Sequence, residues 1–182
     1  MSSNNGFWNP MEVQGHRIVK MPFRCVNKRI LQQIIEDSFK TKLADDYFPL
    51  LIEKDAVTYL ELQYGGVANV LPHPSSGVPP HLKTLAVIGE NQHKGTGKSL
   101  MHAVLEDYAK LNWRSKPDRD ANDLYKKIAG KGKPFSNCEG ITYLSYFVNH
   151  SRMEKRAALG YMKMQPDSFI SENPEPQPLL TS

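Results

Sequence analysis

The chain has 182 residues, 40% hydrophobic content and a formal net charge of +4, which suits one small domain with its own core. No apolar run approaches the roughly 20 residues that cross a bilayer, and no arginine block or aromatic ladder accompanies the positive charge. We therefore expect neither a membrane nor a nucleic acid as partner. Cys25 and Cys138 lie far apart without metal-like spacing, so no metal site is predicted.

Apolar spacing and turn residues predict alternating helices and strands. The predicted elements are, in chain order, a helix capped by Asn27, a helix at 46–53 interrupted or bent near Pro49, a hairpin of strands 56–62 and 66–71, a strand at 82–88, a helix at 96–111, a short segment at 112–115, a helix at 120–128 and a strand at 141–148. This order predicts a mixed α/β sheet with its ligand at the ends of central strands.

Three segments are expected to lie outside the packed elements. The loop at 72–81 carries four prolines and a glycine, so we expect it to be exposed and mobile. Residues 1–11 are expected to be flexible. Residues 171–182, rich in proline and polar side chains, are expected to be disordered because they cannot bury enough apolar surface. The domain is thus predicted to span residues 12–170.

The strand at 82–88 leads through a polar turn into Gln92-His93-Lys94-Gly95-Thr96-Gly97-Lys98-Ser99 and then into a helix. Glycines let the backbone approach an anion closely, and the first amides of a helix lack intrahelical partners, so a pyrophosphate is favoured there. The ending Gly97-Lys98-Ser99 imitates a P-loop, which needs a glycine where this chain has Gln92. A glycine-rich turn with a solubilising lysine is the simpler alternative.

The loop from Gln92 to Gly97 reads Q-x-x-G-x-G, which resembles the acetyl-CoA motif of the GNAT N-acetyltransferases. The resemblance implies their α/β fold, in which a mixed, mostly antiparallel central sheet is flanked by helices. It implies acetyl-CoA as cosubstrate and no metal, with the loop on the pyrophosphate and the preceding strand along the thioester. The residues implied to bind acetyl-CoA are Leu85, Ala86, Val87, Ile88, Gln92, His93, Lys94, Gly95, Thr96, Gly97, Lys98 and Ser99.

A second ordered set of motifs narrows the resemblance. The set consists of Trp113-Arg114-Ser115-Lys116, Asn122 with Tyr125, Pro134-Phe135-Ser136-Asn137 and Gln165-Pro166-Asp167-Ser168-Phe169. It is similar to the acetyltransferase domain of vertebrate-like and fungal N-acetylglutamate synthases. The implied reaction is acetyl transfer from acetyl-CoA to the α-amine of L-glutamate, the first step of arginine biosynthesis, by direct attack in a ternary complex.

The resemblance also implies a cellular setting and a partner domain. Relatives of this family work in the mitochondrial matrix, so that location is expected, with the cytoplasm as the alternative. They carry an amino-acid kinase domain, so a kinase domain or subunit in the parent protein is expected. Apolar strand residues look alike in a core and at a subunit interface, which leaves a homo-oligomer open.

The reaction implies roles for the donor side of the site. The amine must be oriented against the thioester, and the oxyanion and departing thiolate must be stabilised. Backbone amides from Ala86 to Ile88 are expected to bind the acetyl carbonyl. Tyr125 is aligned with the family's helical tyrosine and, as a phenol with an ordinary pKa near ~10, would protonate the thiolate. Asn122 is predicted to be a second catalytic residue beside Tyr125.

Glutamate brings two carboxylates, so the acceptor side needs cations, and a guanidinium fork suits a carboxylate best. Arg114 is the first candidate, and Lys116 takes the place of the family's second arginine. Two further candidates depart from the family pattern, because Thr84 replaces a substrate-binding lysine and Arg119 replaces an asparagine. Lys83 cannot replace that lysine without a bulge, since successive strand residues point to opposite faces.

These departures leave two alternatives open. The acceptor could be another small amine or amino acid, which Thr84 and Arg119 would permit. The chain could also be a regulatory module that binds CoA without turnover. Glutamate-dependent release of CoA separates these possibilities, and the sequence identifies no general base.

Overall fold

The computed structural model describes residues 10–73 and 77–170. Residues 1–9, 74–76 and 171–182, which include most of the expected flexible N-terminus and the whole expected disordered tail, lie outside the described residues. The strands are β1 (Met11–Val13), β2 (His16–Pro22), β3 (Val57–Glu61), β4 (Gly66–Leu71), β5 (His81–Val87), β6 (Leu111–Ser115), β7 (Lys133–Ser136) and β8 (Thr142–Val148). The helices are α1 (Lys28–Phe39), α2 (Tyr47–Glu53), α3 (Thr96–Asp107), α4 (Ala121–Ala129) and α5 (Arg152–Met164).

The strands form one sheet in the order β1-β2-β3-β4-β5-β6-β8-β7. Every neighbouring pair is antiparallel except β5 and β6, which are parallel. Their pairing covers only His81 with Asn112 and Leu82 with Trp113. Beyond these residues the two strands separate and leave a gap in the middle of the sheet. The predicted mixed, mostly antiparallel sheet is confirmed, and the gap positions the site.

Helices cover both faces of the sheet. On one face, α3 and α4 pack over a core that includes Leu100, Val104 and Trp113. On the other face, α1 and α2 pack over a second core. The predicted cap of α1 is confirmed, because the Asn27 side chain accepts hydrogen bonds from the amides of Arg29 (3.1 Å) and Ile30 (3.3 Å).

Several element boundaries differ from the sequence prediction. Helix α3 ends at Asp107, because the chain turns there and Leu111 already belongs to β6. Pro49 causes no break in α2, since it lies in the first turn, where a backbone amide needs no intrahelical partner. Strands β1, β2 and β7 and helix α5 were not predicted. The capping box of Ser151 and Glu154 marks the start of α5 and was readable in the sequence.

The described part of the proline loop is less exposed than its composition predicts, although Gly77 is exposed. Pro79 is buried, and the Asn112 side chain donates hydrogen bonds to the carbonyls of Pro79 and Pro80, both at 2.9 Å. The same Asn112 accepts a hydrogen bond of 2.8 Å from Nδ1 of His81. These bonds tie the loop to β6 and fix the start of β5 where its parallel pairing begins.

Candidate active site

The loop after β5 presents unpaired amides at the start of α3. Gly95 occupies the N-cap position with φ +92°, a conformation that favours glycine. The first hydrogen bond of the helix runs from the amide of Ser99 to the Gly95 carbonyl, at 2.9 Å. The amides of Thr96, Gly97 and Lys98 therefore have no acceptor in the described part of the chain. Such an amide cluster binds an anion well.

The start of α3 packs at ordinary van der Waals distance from the end of β5. A Cβ atom on Gly97 would lie 3.5 Å from Cγ2 of Val87. The Gln92 side chain donates a 3.0 Å hydrogen bond to the Val87 carbonyl, which fixes the loop to the end of the strand. His93 and Lys94 are exposed on the outer side of the loop, and the Lys94 carbonyl accepts a 3.3 Å hydrogen bond from His16 of β2.

Amide directions along β5 refine the expected oxyanion donors. The amide of Ile88 donates to the Gly65 carbonyl at 3.1 Å, so it points toward β4 and is not available for the acetyl carbonyl. Because amide directions alternate along a strand, the Ala86 amide also points toward β4. The amides of Leu85 and Val87 point instead into the gap beside β6. Of the expected donors at residues 86–88, only the amide of Val87 is therefore directed into the gap, and the amide of Leu85 joins it there.

A cavity occupies the gap between β5 and β6. The predicted site residues that line it are Thr84, Leu85, Arg114, Lys116, Arg119 and Tyr125. The structure thus brings together every residue that the sequence assigned to the acceptor. Additional lining comes from Phe39 of α1, Lys83 of β5, Tyr143 of β8 and residues 167–169. Residues 165–170, which we call the strap, form one wall of the cavity.

Tyr125 fits its predicted position. Its ring packs edge-on to Trp113 and beside Tyr146, with centroids 5.3 and 5.4 Å away. Its hydroxyl makes no hydrogen bond with the described residues, and the residue lines the cavity. Burial raises the pKa of Tyr125 well above its usual value, so the phenol remains protonated at neutral pH.

Asn122 does not line the cavity with Tyr125. Its amide nitrogen donates to the carbonyls of Lys116 (2.9 Å) and Pro117 (3.0 Å), and its oxygen accepts from the Tyr146 hydroxyl at 3.1 Å. These internal bonds occupy the side chain. Asn122 therefore holds the loop between β6 and α4, and the structure corrects its assignment from a catalytic to a positioning residue.

Arg114 is largely engaged with the backbone. Its guanidinium donates to the carbonyls of Met162 (3.0 Å), Gln165 (2.7 Å) and Pro166. It also lies 4.2 Å from the centre of the Tyr143 ring. Three of its five N–H groups are used in this way. Arg114 thus joins β6 to the end of α5 and to the strap, with two N–H groups remaining.

The other two predicted cations also line the cavity. Lys116 forms a 2.7 Å ion pair with Asp167 of the strap. Burial alone would raise the pKa of Asp167, but the hydrogen bond and charge of Lys116 outweigh it and lower that pKa. Arg119 lies over the Phe39 ring at 5.3 Å from its centre. Asp167 is the one carboxylate among the described residues that line the cavity.

A β-bulge places Lys83 in the cavity. In the pairing of β4 with β5, Asn69 faces Thr84 and Val70 faces Leu82, so Lys83 has no residue opposite. A bulge re-aims a side chain, and both Lys83 and Thr84 line the cavity. Burial, reinforced by the charge of Arg114, lowers the pKa of Lys83 to about 8. The sequence analysis named the bulge as the condition for this placement but could not predict it.

Thr84 is held by a buried polar network. Its hydroxyl is hydrogen-bonded to the hydroxyl of Tyr47, which accepts a 3.2 Å bond from the amide of Asn69. The oxygen of Asn69 in turn accepts a 2.8 Å bond from Thr58. The network joins α2 to β3, β4 and β5 beside the bulge, so it fixes the strand that carries Lys83.

Within residues 10–73 and 77–170, no group of three or more histidine, cysteine, aspartate or glutamate side chains could hold a metal ion. The helices described for this chain include none with the length and apolar character that spanning a membrane requires.

Comparison with known proteins agrees with this geometry. The family model described as "NAT, N-acetyltransferase, of N-acetylglutamate synthase" matches residues 18–155. The chain belongs to this family. It is 28% identical over 146 residues to the mitochondrial N-acetylglutamate synthase of Danio rerio, and 27% identical over 146 residues to that of Homo sapiens. These alignments cover 78% and 80% of the chain but 26% and 27% of the relatives, so the chain matches about a quarter of each.

Solved structures show the same fold. The ribosomal-protein-S18-alanine N-acetyltransferase of Escherichia coli superposes with a TM-score of 0.55 at 11% identity, covering 72% of this chain and 92% of that one. A GNAT family acetyltransferase from Elizabethkingia anophelis, solved with acetyl-CoA bound, gives a TM-score of 0.53 at 13% identity, covering 72% and 97%. The chain therefore has the GNAT fold, as the glycine loop indicated.

Proposed function

We propose that this N-acetyltransferase domain transfers the acetyl group of acetyl-CoA to the α-amine of L-glutamate. The observation that supports this acceptor is the charge of the cavity. Four cations, Lys83, Arg114, Lys116 and Arg119, line it beside one carboxylate, Asp167. A cavity with this excess of positive charge suits a small acceptor with two carboxylates better than a neutral or cationic amine.

The donor half of the proposal rests on the unpaired amides. Those of Thr96, Gly97 and Lys98 fit a pyrophosphate, and the exposed side chains of Lys94 and Lys98 add positive charge nearby. From there the pantetheine arm would run along β5 into the gap. The acetyl carbonyl would then meet the amides of Leu85 and Val87, which point into the gap and would stabilise an oxyanion.

In the acceptor half of the proposal, each carboxylate of glutamate binds a cation that still has unused N–H groups. Lys83 has no ion pair or hydrogen bond among the described residues and lines the cavity from the first half of β5. We assign it to the α-carboxylate. The side-chain carboxylate is assigned to Arg119 and the two remaining N–H groups of Arg114. Lys116 keeps its charge near this group while it holds Asp167.

The chemistry needs one bond formed and one broken. The α-nitrogen, after losing a proton to solvent, attacks the acetyl carbon, and the carbon–sulfur bond breaks as the tetrahedral intermediate collapses. The departing CoA thiolate takes the proton of the Tyr125 hydroxyl, which is protonated and has no competing hydrogen bond in the described structure. The second proton of the attacking nitrogen then leaves to solvent, and solvent returns a proton to the Tyr125 oxygen. No covalent acyl-enzyme is required.

The relatives also support a proposal about the setting of the reaction. Because the matched relatives are mitochondrial N-acetylglutamate synthases, we assign the domain to arginine biosynthesis in the mitochondrial matrix. They are about four times as long as the matched segment. An amino-acid kinase domain or subunit, and assembly into a homo-oligomer, are part of the same proposal.

A thiol-release assay on matched amino acids tests the acceptor. We expect the kcat/KM for CoA release to be about 100-fold higher with L-glutamate than with L-glutamine. Glutamine has the same shape but lacks the side-chain charge, and a lost hydrogen bond to a charged group costs roughly 1.5–3 kcal/mol. Equal rates with the two amino acids would contradict the glutamate assignment. Binding of acetyl-CoA without turnover on any amine would favour a regulatory module.

A further inference from the structure

Lys83 differs in its surroundings from the other cavity lysine, Lys116, and from two lysines of the outer surface. Lys116 is paired with Asp167, and on the outer surface Lys110 and Lys126 have carboxylate partners at 2.6 and 3.1 Å. Lys83 has no such partner within the described part of the chain, although it is half-buried. Its amine is therefore shielded from bulk water and makes no direct ion pair in that part of the chain, although Asp46 and Asp167 act on it from a greater distance.

The bulge also places Lys83 in the cavity that the proposed acetyl group would enter. Leu85 follows two residues later, and its amide points into the gap where the thioester would lie. In the proposed acceptor complex, Lys83 binds the α-carboxylate, whose carbon is directly bonded to the carbon that carries the attacking nitrogen. A side chain that reaches this carboxylate lies close to the acetyl carbon when the acceptor is absent.

From this geometry we propose that Lys83 is a self-acetylation site, modified by the acetyl-CoA bound to its own chain when no acceptor occupies the cavity. The proposal rests on the proposed function, because it uses the same donor. The neutral ε-amine attacks the acetyl carbon, a nitrogen–carbon bond forms and the carbon–sulfur bond breaks. The amine proton passes to the thiolate, so the products are N-acetyllysine and CoA. No other reactant is needed.

Modification would change the acceptor site. Acetylation removes the charge of Lys83 and extends its side chain, so the α-carboxylate loses its cation and part of its space. The domain would therefore inactivate itself slowly in acetyl-CoA alone. Bound glutamate would protect it, because its carboxylate keeps Lys83 charged and its amine takes the acetyl group first.

Intact mass spectrometry and peptide mapping test the proposal. The purified chain is incubated with acetyl-CoA, with and without glutamate, beside Lys83→Arg and Lys131→Arg. We expect one acetyl group per chain at Lys83, formed at least 10-fold faster than at the exposed Lys131 and slowed by glutamate. Lys83→Arg should lose this modification, because a guanidinium stays protonated. Lys131→Arg should retain it.

The pH dependence supplies a second readout. Burial and the charge of Arg114 of β6 lower the pKa of Lys83, while Asp46 ahead of α2 and Asp167 of the strap raise it. The lowering effects dominate and bring the pKa to about 8, so the neutral amine accumulates as pH rises to 8. The acetylation rate should rise up to that pH and then level off. An ordinary exposed lysine, with a pKa near ~10.4, should still gain about tenfold per pH unit there.

The outcomes separate this proposal from the proposed function. Self-acetylation would be overturned if acetylation were absent or spread evenly over exposed lysines. Normal turnover of glutamate in the same protein would leave the proposed function intact. Calorimetry that shows no binding of acetyl-CoA would overturn both. Acetylation of Lys83 that glutamate does not slow would contradict its assignment to the acceptor carboxylate.

Discussion

The donor and acceptor halves of the site are built in different ways. The donor half is a continuous segment, residues 85–99, and most of its groups are backbone amides. The acceptor half combines side chains from α1, β5, β6 and β8 with the strap. The donor half depends on local backbone geometry, including the positive φ of Gly95. The acceptor half exists only when distant segments pack correctly, so the two halves should respond differently to substitution.

The largest expected effect is on the acceptor half. Arg114→Ala removes three hydrogen bonds to carbonyls of α5 and the strap, together with the contact on Tyr143. Hydrogen bonds to a charged group contribute roughly 1.5–3 kcal/mol each, so we expect about 3 kcal/mol of lost stability in urea unfolding. Turnover of glutamate should fall more than about 100-fold, by the usual relation of free energy to rate.

The affinity for acetyl-CoA is the internal control for this substitution. The donor amides lie outside the contacts of Arg114, so calorimetry should give a dissociation constant within about twofold of the parent, as expected for independent sites. Loss of donor binding in a folded Arg114→Ala protein would contradict the separation of the two halves.

A second substitution acts where the halves meet. Tyr125→Phe removes the hydroxyl proposed to protonate the thiolate, and loss of general acid catalysis should lower kcat about 100-fold. The KM values for both substrates should change little. Tyr146→Phe is the matched control, because it removes a hydroxyl from the same aromatic cluster that bonds to Asn122 instead. Equal losses of kcat in the two variants would argue against a catalytic role for Tyr125.

The smallest expected effect concerns the donor loop. Gly95→Ala forces a side chain into a backbone with φ +92°, which costs roughly 1–3 kcal/mol. We expect the KM for acetyl-CoA to rise about tenfold, by the relation of 1.4 kcal/mol to a factor of ten. Gly89→Ala, where a Cβ meets no atom within 4 Å, should leave it unchanged. A normal KM in the Gly95 variant would show that the loop tolerates rearrangement.

This contrast explains which features could be predicted from the sequence. The glycine loop, the strand before it and the helix after it were predicted because their conformation follows from local residue types. The lining residues Arg114, Lys116 and Tyr125 were named from motif resemblance. The contacts of Arg114 with α5 could not be anticipated, since α5 itself was missed. The bulge at Lys83 depends on how β4 and β5 pair, and no local residue pattern fixes that register.

The strap has a consequence for how the protein folds. The Thr41 hydroxyl donates to the Ile170 carbonyl, and these residues are 129 positions apart in the chain. The bonds from Ala44 to Ser168 and from Ile170 to Lys42 join the same two segments. Contacts of such separation are slow to form because a long loop must close first. During refolding, competence to bind acetyl-CoA should therefore return before competence to bind the amino acid.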